Sequence, residues 1–226
     1  MKCLFPLLAA LSLAPAASAV EPATRPAADL ARSAPDADPH VIGLGLRAMR
    51  CAQARGVGPK AKRLAVIDYR LPSRKHRLWV FDVENGQLLF REPVAHGQGS
   101  GEDKPTRFSN VHGSHQSSLG LFLTDQTYHG ANGYSLRMEG LEPGYNDQAM
   151  ARAIVMHGAP YVDLGTAQAQ GRLGRSWGCP ALRPAVARPL IDEIKQGQFV
   201  FAYYPDPDWL RDSQVLHCDK AALAAP

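Results

Sequence analysis

His157 and Cys179 carry the residue types of a thiol nucleophile and its base, and the chain sets them 22 residues apart in glycine-marked surroundings. The apolar run Ile154-Val155-Met156 delivers His157-Gly158, and Ser176-Trp177-Gly178-Cys179-Pro180-Ala181-Leu182 follows. A cysteine becomes a strong nucleophile when a neighbouring imidazole takes its proton, because the thiolate is the reactive species and histidine titrates near neutrality. Gly178 has no side chain, so a substrate carbonyl could approach the backbone N–H groups of the turn, where an oxyanion would be held. A thiolate beside backbone donors makes acyl transfer. A zinc site built from His129, His157 and Cys179 is the weaker reading, since none of the short ligand spacings of structural zinc occurs, and no metal is expected.

The elements that must position these residues are mostly strands. Short β-branched and aromatic runs predict strands over 64–69, 77–83 and 87–94, with Asn85-Gly86 as a hairpin turn between the last two. Further strands are expected over 119–124, 134–138, 153–156 and 198–204, and helices over 40–55, 146–152 and 184–196. The polar stretch 96–118, punctuated by Gly97, Gly99, Gly101 and Gly113, is too long for an ordinary connection and is expected to be a functional loop. Strands first, with a few short helices inserted, predict a mainly-β single domain with a curved or closed β-sheet.

The composition supports a folded chain. With 226 residues, 45% of them hydrophobic and 20% charged, wholesale disorder is excluded. The net charge is +4 and the basic residues are scattered, which gives no footprint for nucleic acid, and none is expected as a partner. Met1-Lys2, the apolar run 4–13 and Ala17-Ser18-Ala19 have the pattern of a secretory signal peptide over 1–19. That run is too short to span a membrane, so a secreted protein of the periplasm or cell wall is expected, with no membrane span. Residues 20–39, rich in Ala, Pro and Asp, are expected to be a flexible linker, 40–218 the catalytic domain and 219–226 a tail. After the leader the cysteines number three, Cys51, Cys179 and Cys218. A Cys51–Cys218 disulfide would tie the two ends of the domain together and leave Cys179 free.

The segment Ser176-Trp177-Gly178-Cys179, together with His157-Gly158, resembles the murein L,D-transpeptidase catalytic domains of the YkuD type, in a divergent branch with Trp in the motif. A second family element, Thr-Pro-x-Gly-x-Phe, is echoed by Ser117-Ser118-Leu119-Gly120-Leu121-Phe122. The resemblance spans about 64–204. It implies an exported cysteine acyltransferase, needing no cofactor, that acts as a monomer on peptidoglycan stem peptides. Cys179 would form the thioester, His157 would act as general base, the N–H groups of Gly178 and Cys179 would hold the oxyanion, and Ser176 would orient the turn or His157. An amine or water would resolve the thioester.

The chain departs from the family where Trp177 replaces a second histidine, leaving His157 as the sole base. Arg183 either substitutes for a family Arg or Asn two residues after the cysteine or that contact is missing. Gly158, Trp177, Tyr134, His115 and Arg183 are the expected substrate-binding residues; core packing is the competing reading for Trp177 and Tyr134, and a solvated loop for Arg172, Arg175 and Arg183. An L,D-carboxypeptidase, another cysteine amidase and a non-catalytic peptidoglycan-binding module are the alternative functions.

Overall fold

Eight strands form one sheet in the computed structural model, which describes residues 25–218. The leader expected over 1–19 and the tail over 219–226 lie outside those residues. In chain order the strands are β1 (Arg63–Asp68), β2 (Leu78–Asp82), β3 (Gln87–Glu92), β4 (Gly120–Gly130), β5 (Gly133–Gly140), β6 (Val155–Gly158), β7 (Ala181–Leu182) and β8 (Phe199–Tyr203). Their spatial order is β3-β2-β1-β8-β4-β5-β6-β7. The β1–β8 and β6–β7 pairs are parallel and the rest antiparallel.

The two edges of the sheet meet. Ala95, just beyond β3, bridges Ala181 in β7, and its N–H donates to the Ala181 carbonyl at 2.8 Å. Register shifts at Val80/Phe81 and at Thr124/Thr127 mark bulges of the kind that bend a sheet. The result is the nearly closed, mainly-β barrel expected from the sequence. Its central strands are buried along almost their whole length, as an apolar run covered on both faces must be.

Helices cover the barrel. Asp38 caps α2 (Pro39–Ala54), its carboxylate accepting the His40 N–H at 2.8 Å. Gly45 lets that helix approach β8, because a Cβ there would lie 3.1 Å from the Phe201 ring. On the other side α4 (Pro184–Ile194) buries Ala187, Leu190, Ile191 and Ile194. The short helices α3 (Leu164–Gln170) and α5 (Pro207–Asp212) and the two-residue strand β7 have no counterpart among the sequence expectations.

Two expectations are corrected. Most of the segment read as a flexible linker is ordered, since α1 (Arg25–Ser33) lies within it. The small size of its apolar residues hides their spacing: Ala27, Leu30, Ala31 and Ala34 share one helix face, and Leu30 and Ala34 are fully buried in the main core. Asp36, just beyond the helix, accepts from Trp79 Nε1 at 3.3 Å and from Arg91 Nε at 2.7 Å, which fastens the segment to β2 and β3. The helix expected over 146–152 is instead a succession of turns. There Asn146 spends its side chain on the Glu142 N–H and the Leu121 carbonyl, at 2.8 and 3.0 Å, in competition with regular helix. The Cys51–Cys218 disulfide is present and Cys179 is free, as expected.

Candidate active site

The parallel pair β6 and β7 brings His157 and Cys179, the candidate base and nucleophile, to one cavity. His157 lies on β6 opposite Ala181 of β7, and Cys179 stands two residues before the start of β7, with Pro180 between. Both side chains line one cavity of about 400 Å³, whose walls also include Arg152, Tyr161, Arg175 and Trp177. The His157 ring donates Nδ1–H to the Gly158 carbonyl at 2.9 Å, which leaves Nε2 as the acceptor. Burial depresses its pKa below 6.5 and so keeps the imidazole neutral.

The thiol rests on the backbone that leads into β6. Sγ donates to the Ala153 carbonyl at 3.7 Å and accepts the Val155 N–H at 3.4 Å. Burial pushes the Cys179 pKa up, while the Val155 N–H and the Arg152 charge act in the opposite direction. The resting pair is therefore a neutral thiol and a neutral imidazole.

Ser176 orients the turn rather than His157. Its hydroxyl donates to the Cys179 carbonyl at 2.6 Å and accepts the Gly178 N–H at 3.1 Å. This corrects the oxyanion role expected of the Gly178 N–H, which is already committed to Ser176. Glycine is required at 178 for another reason. The residue has φ 127°, and a Cβ would stand 2.7 Å from Ile154 Cδ1 and 2.9 Å from the Gln116 carbonyl oxygen. The Gly178 carbonyl accepts from Ser117 Oγ at 2.9 Å, so the first residue of the Gly120 element braces the turn that carries Cys179.

The residues expected to bind substrate divide. Trp177 is at the cavity rim and 73% exposed, which removes the core-packing reading. Its indole stacks on His115, with ring centres 5.1 Å apart and planes 6° from parallel, so those two do meet at the site. Arg183 is corrected: its Nε and a terminal nitrogen grip the Glu92 carboxylate at 2.8 and 2.9 Å, and it does not line the cavity. Tyr134 is corrected likewise, because its hydroxyl donates to Asp192 at 2.6 Å and Arg188 lies over its ring at 4.1 Å. Gly158 contributes the carbonyl that fixes the His157 tautomer, and its Cα packs so closely on α4 that a Cβ would be 2.9 Å from Ala187 Cβ.

Arg152 and Tyr161 also stand on the cavity wall, with no local sequence pattern that marks them. Burial, joined at high pH by the ionised Cys179, pushes the Tyr161 pKa up to about 12, so its phenol is neutral near pH 7. The anchor of the long loop is equally unmarked in the sequence. Arg77, wholly buried, donates to the Val94 and Leu71 carbonyls and to His96 Nδ1, the last at 2.7 Å. His96 is thereby the neutral Nε2–H tautomer, its pKa pushed down to about 3 by burial and by the Arg77 charge. The 3₁₀ turn Gln98–Ser100 follows directly. An isolated arginine beside a strand carries no spacing signal that could have disclosed either role.

The chain belongs to the family described as the L,D-transpeptidase catalytic domain, whose YkuD_2 model matches residues 33–203. Among solved structures it is similar to an L,D-transpeptidase from Mycobacterium smegmatis, at 16% identity over 64% of this chain and 59% of that one, TM-score 0.41. It is similar also to L,D-transpeptidase 1 of Mycobacterium tuberculosis, at 16% identity over 63% and 62% of the two chains, TM-score 0.35. An L,D-transpeptidase from Stackebrandtia nassauensis is 14% identical over 82% and 92%, TM-score 0.38. The chain spans about six-tenths of the length of the Mycobacterium smegmatis protein. No curated protein sequence matches it significantly.

Proposed function

We propose that the protein is an exported cysteine acyltransferase acting on peptidoglycan stem peptides. The observation that carries this reading is the convergence of a free cysteine and a histidine with an open Nε2 on one cavity, in a chain of the L,D-transpeptidase catalytic-domain family. The leader pattern at 1–19 and the Cys51–Cys218 disulfide support export to an oxidising compartment.

The thiol first turns from the Ala153 carbonyl towards His157 and passes its proton to Nε2. The sulfur attacks the carbonyl of the third stem residue, and the Cys179 N–H faces the oxyanion that forms. The intermediate collapses, the C–N bond to D-Ala breaks, and the His157 imidazolium returns its proton to the leaving amine. An acceptor amine then attacks the thioester, His157 takes the amine proton, and the thiol is released with that proton. Water as acceptor would give trimming in place of cross-linking by the same steps. Trp177 and His115 form the rim over which the donor peptide passes.

The test is mass spectrometry of disaccharide-tetrapeptide incubated with the purified protein. Loss of D-Ala with formation of a cross-linked dimer supports a transpeptidase, and the tripeptide alone supports the carboxypeptidase alternative. C179A should abolish both products and H157A should cut them by about a hundredfold or more. A C179A variant that retains activity overturns the reading.

A further inference from the structure

We propose that Arg152 is a positioning residue of this site, whose guanidinium pins the 109–118 segment against the nucleophile turn and supplies the positive charge beside which the Cys179 thiolate forms. This inference rests on the reading of Cys179 as the nucleophile.

Arg152 grips the loop with both terminal nitrogens. One donates to the Ser109 carbonyl and to Ser118 Oγ, each at 2.6 Å; the other donates to the Gln116 carbonyl at 2.6 Å and to Ser114 Oγ at 3.2 Å. Every one of these partners is neutral, so no carboxylate among the described residues pairs with the charge. The other arginine of the cavity wall differs, because Arg175 pairs with Glu102 at 2.8 Å.

The backbone ties Arg152 to the thiol. Ala153 holds φ 53°, a left-handed conformation that a non-glycine residue adopts only under strain. Its carbonyl is the one that accepts the Cys179 Sγ–H. The same short turn thus presents a cation and a thiol acceptor to the nucleophile.

Four other titratable groups face Cys179: His157 on β6, Tyr161 beyond it, Arg175 ahead of the nucleophile turn, and Tyr69 just past β1. His157 and both tyrosines are uncharged near pH 7, because burial lowers the one and raises the others. Burial opposes the Cys179 thiolate, and Arg152 offsets part of that penalty.

The experiment is alkylation of Cys179 by iodoacetamide across pH 6–10 in the full mature protein, read by mass spectrometry of the Cys179 peptide. R152Q retains amide donors without charge, R152K retains charge without the fork, and S118A removes one loop contact only. We expect R152Q to move the pH midpoint upward and slow alkylation at pH 7 by about tenfold or more, as loss of a cation near a buried thiolate requires. R152K should recover most of the rate, and S118A should keep the wild-type midpoint.

A wild-type midpoint in R152Q overturns the inference, as does an R152K midpoint displaced as far as that of R152Q. Should R152Q fail to fold, R152K decides alone, and an upward move of a full pH unit overturns the proposal. A wild-type Cys179 that resists alkylation at every pH, or one whose alkylation leaves acyl transfer intact, overturns the nucleophile assignment beneath it. A reactive Cys179 indifferent to Arg152 overturns only the inference.

Discussion

His157 donates its Nδ1 hydrogen to the carbonyl of the next residue, so a single backbone acceptor sets the tautomer that a base needs. Burial then lowers its pKa from 6.5, the direction that keeps imidazole neutral at mildly acid pH. In the proposed mechanism the neutral ring is the active form, so the acid limb of a kcat/KM profile on tetrapeptide should have its midpoint below pH 6.5. Steady-state rates between pH 4 and 8 check this, and a midpoint above 6.5 would contradict it. Trp177 offers a second test at this scale, because it is exposed and stacked only at the rim. W177A should change thermal stability by no more than about 0.5 kcal/mol, as exposed positions do, while raising KM for the donor severalfold. Differential scanning calorimetry beside Michaelis kinetics separates the two effects.

At the scale of elements, the short parallel pair β6–β7 and the long loop before β4 together make the cavity. The loop stays in place because buried polar groups hold it: Ser117 takes the Gly97 N–H at 3.0 Å and gives its own hydrogen to the Gly178 carbonyl. Both ends of the loop are thereby stitched to the turn at Gly178. The helix α1 lies far from this chemistry in sequence, and its Leu30 is fully buried. L30A should destabilise the fold by about 2–5 kcal/mol, the range for truncating a buried leucine. Urea denaturation measures it; a value near zero would restore the flexible-linker reading of that segment.

Over the whole molecule, the disulfide joins α2 to the end of the described chain across 167 residues. In the chain-entropy account a loop of that length contributes on the order of 3–5 kcal/mol. Thiol reductant should therefore lower the denaturation midpoint markedly in the wild type and leave a C51A/C218A variant unaffected. Acid is the second global stress. His96 is held neutral in the folded state with a pKa of about 3, against the ordinary histidine value of 6.5 that it regains in the unfolded chain. The unfolded chain binds that proton first, so stability from this group is complete above pH 6.5 and is lost progressively between 6.5 and about 3. H96Q should fall less steeply in that window, by up to about 1.4 kcal/mol per pH unit, in chemical denaturation at successive pH values.

The candidate pair of His157 and Cys179, the free state of Cys179 and the partnership of Cys51 with Cys218 were all legible from residue type and spacing, because glycine punctuation and an odd cysteine count can be read off the chain. Most strands were legible too, since a β-branched run alternates or stays apolar whatever it later touches. Side-chain partners across the fold were not. Arg183 and Tyr134 sit close in sequence to the site, or on a strand beside it, yet Glu92 and Asp192 engage them elsewhere, and only the folded chain brings those acids near. The Gly178 N–H likewise stood open as an oxyanion donor until the Ser176 hydroxyl was seen to take it. Arg152 came into the site through the left-handed turn at Ala153 and its hold on a loop more than thirty residues earlier. Residue chemistry is a property of the chain, and sequence alone determined which groups could react; the close approach of groups distant along the chain is a property of packing, and tertiary structure alone decided which of them do meet.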